Sequence, residues 1–150
     1  MWTATASNLL RRLTAAKIVI DSYAWIEHFI GSEKGRKVNE IMANADEVYT
    51  PDMVLAEIAR KYFREGIDLK TIDQRLNEVV EASNIVCIDV KIAGNAAKCY
   101  LELEANAKKL KLDRPSLFDA IVLATGRLLK SSVLTGDQHF KNLKETIWVE

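Results

Sequence analysis

The stretch KIVIDSYAWIEHFIG, residues 17–31, decides the fold of this chain. The apolar run at Ile18–Ile20 predicts a short strand, because β-branched residues favour strands. The residues that follow predict a helix over Tyr23–Phe29, which ends at Gly31. Asp21 stands at the junction, because a strand this apolar tolerates a charge only where it emerges from the sheet. The segment is therefore the first strand–helix unit of an alternating chain.

The same alternation continues along the chain. Caps, periodicity and turn residues predict further helices at about Glu33–Ala43, from the Thr50-Pro51-Asp52 start to Glu65, from the Asp68 cap to Ala82, at Lys91–Lys109 and from the Ser116 cap to Leu129. Four more strands are predicted in EVYT at 47–50, in IVCIDV at 85–90, at Ser132–Thr135 and in TIWV at 146–149. Strands that alternate with helices imply parallel pairing, so the sequence predicts a three-layer α/β/α domain around one central sheet.

The composition is that of one ordinary globular domain, with 150 residues, 49% hydrophobic and 28% charged. The 21 basic and 21 acidic residues balance, so bulk charge does not indicate a strongly basic nucleic-acid binder. The two cysteines, Cys87 and Cys99, do not make a disulfide framework. No apolar stretch is long enough for a signal peptide or a membrane span, so we expect a cytoplasmic protein with no membrane partner.

Four acidic residues, Asp21, Glu57, Asp119 and Asp137, lie at or near predicted strand-to-helix junctions. In open α/β sheets, reactive groups collect outside the carboxyl ends of the strands. Carboxylates gathered there repel one another unless a cation lies among them, because each raises the pKa of its neighbours. Oxygen ligands select hard cations over zinc. The four acids therefore predict a site for Mg²⁺ or Mn²⁺, ions that can orient an attacking water and neutralise a phosphodiester.

Two of the acids have clear structural explanations of another kind. Asp21 could cap the helix that follows it, although Ser22 could be the cap instead and leave Asp21 free. Glu57 could form an exposed ion pair with Lys61 on the same helix. Either arrangement would occur without any metal.

The other two acids can also be explained by local structure. The segment Ser116–Asp119 matches a capping box, although an acid in a first helical turn also suits a metal ligand. Asp137 could belong to a turn, or could cap a short helix at Gln138–Asn142. One common cause explains all four positions, so the metal site is the better interpretation.

Other kinds of chemistry lack their motifs in this sequence. The absence of GxxxxGK[ST], GxGxxG and GxSxG argues against NTP hydrolysis, dinucleotide binding and α/β-hydrolase chemistry. Tyr23 stands where an aspartyl-nucleophile motif would have its second Asp. His28 and His139 have no partner at zinc spacing, so we interpret each as a surface or helix-edge residue rather than a ligand.

Four segments, taken in order, resemble the PIN domain family, and most closely its small prokaryotic VapC-type toxin ribonucleases. They are IVIDSYAWIE at 18–27, VLAEIAR at 54–60, LFDAIVLATG at 117–126 and VLTGDQHF at 133–140. The likeness covers about residues 17–149. Each segment is a weak signal by itself, but the ordered set is specific.

The resemblance implies a five-stranded parallel sheet and a Mg²⁺- or Mn²⁺-dependent endoribonuclease. By residue-by-residue likeness, Asp21 and Asp119 are the direct metal ligands, and Asp137 is a further ligand or a residue that holds a second ion. Glu57 is then a catalytic acid that faces the metal partly through water. The hydroxyls of Ser22 and Thr135 are similar to those that support the acids in this family.

The resemblance also implies partners. They are an RNA substrate, a VapB-type antitoxin that blocks the acidic cleft, and a second copy of the chain in a homodimer. We expect base specificity to depend on loops such as Gly31–Lys37. Two other functions remain open: an RNA-processing nuclease of the same fold outside toxin–antitoxin systems, and a non-catalytic PIN-like module that binds RNA or protein.

One departure from the family lies at the start of the chain. Residues 1–16 precede the predicted nuclease domain at 17–150, and they contain an apolar stripe at Leu9, Leu10 and Leu13. We expect this extension to form an added helix that packs on the sheet or on a dimer partner; the alternative is that the true start of the protein lies later in the sequence.

Overall fold

The structure is a computed structural model that describes residues 16–150. Its strands are β1 (Lys17–Ile20), β2 (Glu47–Pro51), β3 (Asn84–Val86), β4 (Ser132–Thr135) and β5 (Thr146–Trp148). Its helices are α1 (Ser22–Ile30), α2 (Glu33–Asn44), α3 (Asp52–Arg64), α4 (Leu69–Ala82), α5 (Val90–Leu110) and α6 (Leu117–Leu128), with a short 3₁₀-helix at Gln138–Phe140. The helix predicted in residues 1–16 lies outside the described residues, except for Ala16.

The five strands form one parallel sheet in the order β3-β2-β1-β4-β5. Helices α1–α4 pack against one another, and α5 packs along α6. These two groups are the outer layers of a three-layer α/β/α domain, which confirms the predicted fold class. Because β1 and β4 are neighbours at the centre, residues that follow them meet at one edge of the sheet.

The core forms where the helices cover the central strands. Val19 and Leu134 are fully buried, as expected for parallel strands with helices on both faces. Trp25 of α1 is also fully buried, and its indole N–H donates to the Thr50 hydroxyl of β2 at 3.1 Å. This hydrogen bond satisfies two buried polar groups and fixes α1 against the sheet.

Helix α5 is the longest described helix, with 21 residues. One face is buried through Ile92, Cys99 and Leu103. The opposite face exposes apolar side chains, because Val90 is 89% and Leu101 is 66% exposed. Within residues 16–150, neither this helix nor any other is long and apolar enough to cross a membrane.

The third strand corrects one prediction. The run IVCIDV at 85–90 was expected to be a strand throughout, but β3 ends at Val86. Val86 pairs with Pro51, the last residue of β2, so the backbone beyond it has no strand to pair with. Cys87 is exposed, and Asp89 caps α5 by accepting the Ile92 N–H at 2.8 Å.

Candidate active site

Strand β1 delivers Asp21 to the carboxyl edge of the sheet, where its side chain is only 3% exposed. Its Oδ1 accepts the backbone N–H of Ser22 at 2.7 Å, and its Oδ2 accepts the Thr135 hydroxyl at 2.8 Å. Asp21 is the N-cap of α1, so Ser22 is not the cap. Both carboxylate oxygens are therefore held by hydrogen bonds.

Thr135, the last residue of β4, connects two of the predicted site acids. Its fully buried hydroxyl donates to Asp21 and accepts the backbone N–H of Asp137 at 3.0 Å. The first contact spans 114 positions in the sequence, and it forms because β4 lies beside β1. A single hydroxyl thus fixes the positions of two acidic segments.

Asp137 leaves β4 and caps the 3₁₀-helix, which is shorter than the helix predicted over 138–142. Its Oδ1 accepts the backbone N–H of His139 at 2.9 Å and lies 2.8 Å from the ring Nδ1 of His139. The second ring nitrogen, Nε2, lies 2.9 Å from the carbonyl oxygen of Asp113. The sequence predicted only a surface or helix-edge position for His139, although the Asp137-x-His139 spacing was an available signal of its contact with the acid.

Asp119 forms the predicted capping box at the start of α6. Its Oδ2 accepts the backbone N–H of Ser116 at 2.7 Å, and its own N–H donates to the Ser116 hydroxyl at 3.1 Å. The structural explanation is therefore confirmed. It is compatible with metal binding, because the cap uses one carboxylate oxygen and leaves Oδ1 for another partner.

Glu57 lies in the second turn of α3 and is half-buried. It does not form the predicted exposed pair with Lys61. Instead it lines a cleft of about 420 Å³ together with Asp119, Asp137 and Arg60. The structure thus brings all four predicted acids to one place at the sheet edge.

Burial and mutual repulsion raise the pKa values of these acids. Burial raises the pKa of Asp21 to about 7; the Thr135 hydrogen bond opposes this shift, and the charges of the other three acids add to it. Burial also raises the pKa of Glu57, against the effect of the Ser22 side chain. The pKa of Asp119 is raised by burial and by Asp137, against its hydrogen bond from Ser116.

The pKa of His139 is raised above its ordinary value. Burial alone lowers it, but the Asp113 carbonyl and the Asp137 carboxylate outweigh burial, because both stabilise a protonated ring. Both contacts therefore favour the protonated form of the ring next to the acids.

The donor set fits a hard divalent cation. One ligand atom from each of Asp119, Asp137 and His139 lies within 4.8 Å of the other two. Both ring nitrogens of His139 already have hydrogen-bond partners, so the free donors are carboxylate oxygens. Such oxygens select Mg²⁺ or Mn²⁺, and a cation would offset both the burial and the repulsion that raise the pKa of Asp21.

The chain matches one known family. The family model described as PIN domain matches residues 18–145. This chain belongs to the PIN domain family. A comparison with curated protein sequences gave no match.

Solved structures show the same PIN fold. A toxin–antitoxin complex from Klebsiella pneumoniae contains a chain with a TM-score of 0.64 and 20% identity, over 89% of this chain and 98% of that one. The sarcin–ricin-loop-cleaving toxin VapC20 of Mycobacterium tuberculosis has a TM-score of 0.63 and 15% identity, over 86% and 98%. VapBC2 of Rickettsia felis, bound to promoter DNA, has a TM-score of 0.63 and 13% identity, over 88% and 96%. At these identities the likeness shows the fold alone.

Proposed function

We propose that this PIN domain is a Mg²⁺- or Mn²⁺-dependent endoribonuclease. The observation that carries the proposal is the convergence of Asp21, Glu57, Asp119 and Asp137 at one edge of the sheet. The family is generally one of nucleases, which supports hydrolysis of a phosphodiester. A bound divalent ion would neutralise charge on the phosphate and activate the attacking water.

The four acidic side chains would have different roles in binding the ion and the attacking water. Asp21, Asp119 and Asp137 would hold the ion, and each is fixed by a hydrogen bond described above. Glu57 is less buried than Asp21 and lines the open cleft, so it would contact the ion partly through water. Burial raises its pKa, which suits a group that accepts a proton from the attacking water.

Two arginines in the cleft are suited to binding an anionic substrate. Arg60 and Arg114 line the same cleft as Glu57 and Asp119. Arginine contacts phosphates with two parallel N–H groups, so these side chains would position an RNA backbone next to the acids.

Replacing the acids tests the nuclease proposal. We expect Asp21→Asn and Asp119→Asn each to lower the rate of RNA cleavage by at least about 100-fold, because the remaining carboxylates hold the ion poorly. The matched control is Asp73→Asn, an exposed position on α4 that should leave the rate unchanged. Circular dichroism checks that each variant is folded. Cleavage that persists in excess EDTA would refute the metal requirement.

The same experiments address the non-catalytic alternative. Calorimetric titration with Mn²⁺ should detect binding to the unmodified protein and weaker binding to Asp119→Asn. A protein that binds neither Mn²⁺ nor Mg²⁺ would favour a PIN-like module that binds RNA or protein without cutting it.

We further propose that the chain is a cytoplasmic toxin that forms a homodimer and pairs with a VapB-type antitoxin. The support is the likeness in fold to chains from toxin–antitoxin complexes. Induction of the chain alone should arrest growth of a bacterial host, and co-expression of the protein encoded next to it should restore growth. Normal growth with active enzyme would favour an RNA-processing nuclease outside toxin–antitoxin systems.

A further inference from the structure

A second cleft, which we call the aromatic cleft, adjoins the acids. It has a volume of about 600 Å³, and its walls include Tyr23, Lys34, Lys141 and Trp148. Asp137 and His139 line both this cleft and the acidic cleft that contains Glu57. A molecule extended along the sheet edge could therefore occupy both clefts and pass the acids between them.

Trp148 lies at the level of the acids because β5 pairs with β4. In this register Trp148 is the partner of Thr135, whose hydroxyl holds Asp21. The indole N–H donates to the Glu150 carboxylate at 2.8 Å, which fixes the orientation of the ring. The ring is half-buried, and the ammonium group of Lys141 lies 5.8 Å from its centroid.

Tyr23 reaches the same cleft from α1, two residues after Asp21. Its ring packs on the backbone of Gly136; a Cβ at that position would overlap the ring and lie 2.7 Å from Cζ. The hydroxyl of Tyr23 accepts a hydrogen bond from the Lys34 ammonium group at 3.2 Å. The glycine before Asp137 thus lets an aromatic ring lie directly beside an acidic segment.

The two lysines of the cleft carry charge that is not neutralised by a close ion pair. Among residues 16–150, no carboxylate oxygen lies within 4.0 Å of the ammonium group of Lys34 or Lys141. Asp113 and Glu150 also line the cleft, and the Glu150 carboxylate accepts the indole N–H. Sites for single-stranded nucleic acid combine two kinds of contact: cationic groups bind the phosphates, and aromatic rings stack on the bases. The lysines and aromatic rings of this cleft can make both.

We propose that the aromatic cleft binds the nucleotide next to the scissile phosphate of a single-stranded RNA, with its base stacked on Trp148. The flanking phosphates are contacted by Lys34 and Lys141. A base that replaces the Lys141 ammonium group over the indole ring leaves that group free for a phosphate. The inference rests on the proposed function, because it takes RNA as the substrate.

Direct binding tests the cleft separately from catalysis. The probe is a fluorescein-labelled single-stranded RNA of mixed sequence, with binding measured by anisotropy in the Asp119→Asn background. We expect Trp148→Leu to weaken binding by about 10-fold or more, as loss of one stacked base does. The matched control is Phe63→Leu, an exposed aromatic residue on α3 outside the cleft, which should leave the Kd unchanged.

The lysines are tested by salt dependence. We expect Lys34→Met with Lys141→Met to reduce the slope of log K against log salt by about 1.4, the value for two phosphate contacts on a single strand. The control is Lys91→Met with Lys98→Met, two exposed residues of α5. In the cleavage-competent protein, Trp148→Leu should raise KM and change kcat little.

The outcomes separate this inference from the nuclease proposal. If the protein cleaves RNA and the cleft variants keep the Kd, KM and salt slope, the cleft is not a nucleotide site and the nuclease proposal stands. If it does not cleave RNA but Trp148→Leu loses RNA binding, the cleft stands and the nuclease proposal fails. If the protein with an intact cleft binds no RNA, both are wrong.

Discussion

Asp21 is the residue at which metal binding and folding conflict most directly. A carboxylate that is 3% exposed loses most of its hydration, and two hydrogen bonds do not fully compensate. Its pKa of about 7 means that the folded, metal-free protein binds a proton there far more tightly than the unfolded chain does. Ionised Asp21 therefore destabilises the fold until a cation occupies the site.

This conflict predicts a stabilising substitution. Because the pKa of Asp21 rises from 3.8 to about 7 on folding, the stability of the metal-free protein should fall as pH rises from about 4 through 7. Asp21→Asn removes that loss, so it should increase the free energy of unfolding by about 2 to 4 kcal/mol at pH 8. The increase should be much smaller at pH 4.

Urea denaturation in EDTA at pH 4 and pH 8 measures this difference, with Asp73→Asn as the control. An Asn variant that is no more stable than the unmodified protein at pH 8 would mean that solvent or a rearranged partner already compensates the buried charge.

For the residues of the site, the sequence predicted contacts between close neighbours in the chain. It missed one contact that forms only on folding. The Ser116–Asp119 capping box spans three residues, so its spacing could be seen directly. The support of Asp21 by Thr135 was expected only from family resemblance, because it joins residues that only the sheet brings together. The contact of His139 with the Asp113 carbonyl was missed because Asp113 belongs to a distant segment without a motif.

Among the elements, the corner between α1 and α2 is the most restrictive. Gly35 is buried in the first turn of α2, where the backbone of α1 passes directly over it. A Cβ at Gly35 would overlap the carbonyl oxygen of Glu27 and lie 2.8 Å from the carbonyl carbon. Both are backbone atoms, so the two helices would have to separate.

We therefore expect Gly35→Ala to decrease the free energy of unfolding by about 1 to 3 kcal/mol, as overpacking does. The matched control is Gly94→Ala in α5, where a Cβ meets nothing within 4 Å. Alanine favours helix, so this control should stabilise the protein by about 0.5 to 1 kcal/mol. Urea denaturation compares the two, and equal effects would mean that the corner relaxes without strain.

The end of β3 could not be predicted from its own sequence. The run at 85–90 is apolar enough for a strand, and its composition predicted one. A strand also needs a neighbour, and β2 ends at Pro51, opposite Val86. The apolar residue Ile88 is therefore 42% exposed, and its N–H lies 3.3 Å from the Asp52 carboxylate instead of joining a strand ladder. The length of β3 therefore depends on where β2 ends, and the residues of β3 themselves carry no information about that.

For the whole molecule, the exposed face of α5 is the best candidate for the proposed homodimer contact. Val90 and Leu101 are largely exposed, and between them Ala93 and Ala97 are small and exposed. Small residues let two helices approach closely, and burying the larger side chains would supply hydrophobic stabilisation.

We expect Leu101→Glu to convert a dimer into a monomer, as measured by sedimentation equilibrium, because a charge would be buried in the contact. Leu69→Glu is the control, since Leu69 is similarly exposed at 64% but belongs to α4. A dimer that survives Leu101→Glu would place the contact on another face.

The strand order also has a consequence for the timing of synthesis. Asp21, Glu57 and Asp119 are translated before β4, yet β4 lies between β1 and β5 and carries the hydroxyl that holds Asp21. A ribosome that has made the chain only to residue 130 has therefore produced three of the acids but no assembled site. For a chain proposed to cut RNA, this order delays assembly of the site until β4 and Asp137 have been translated.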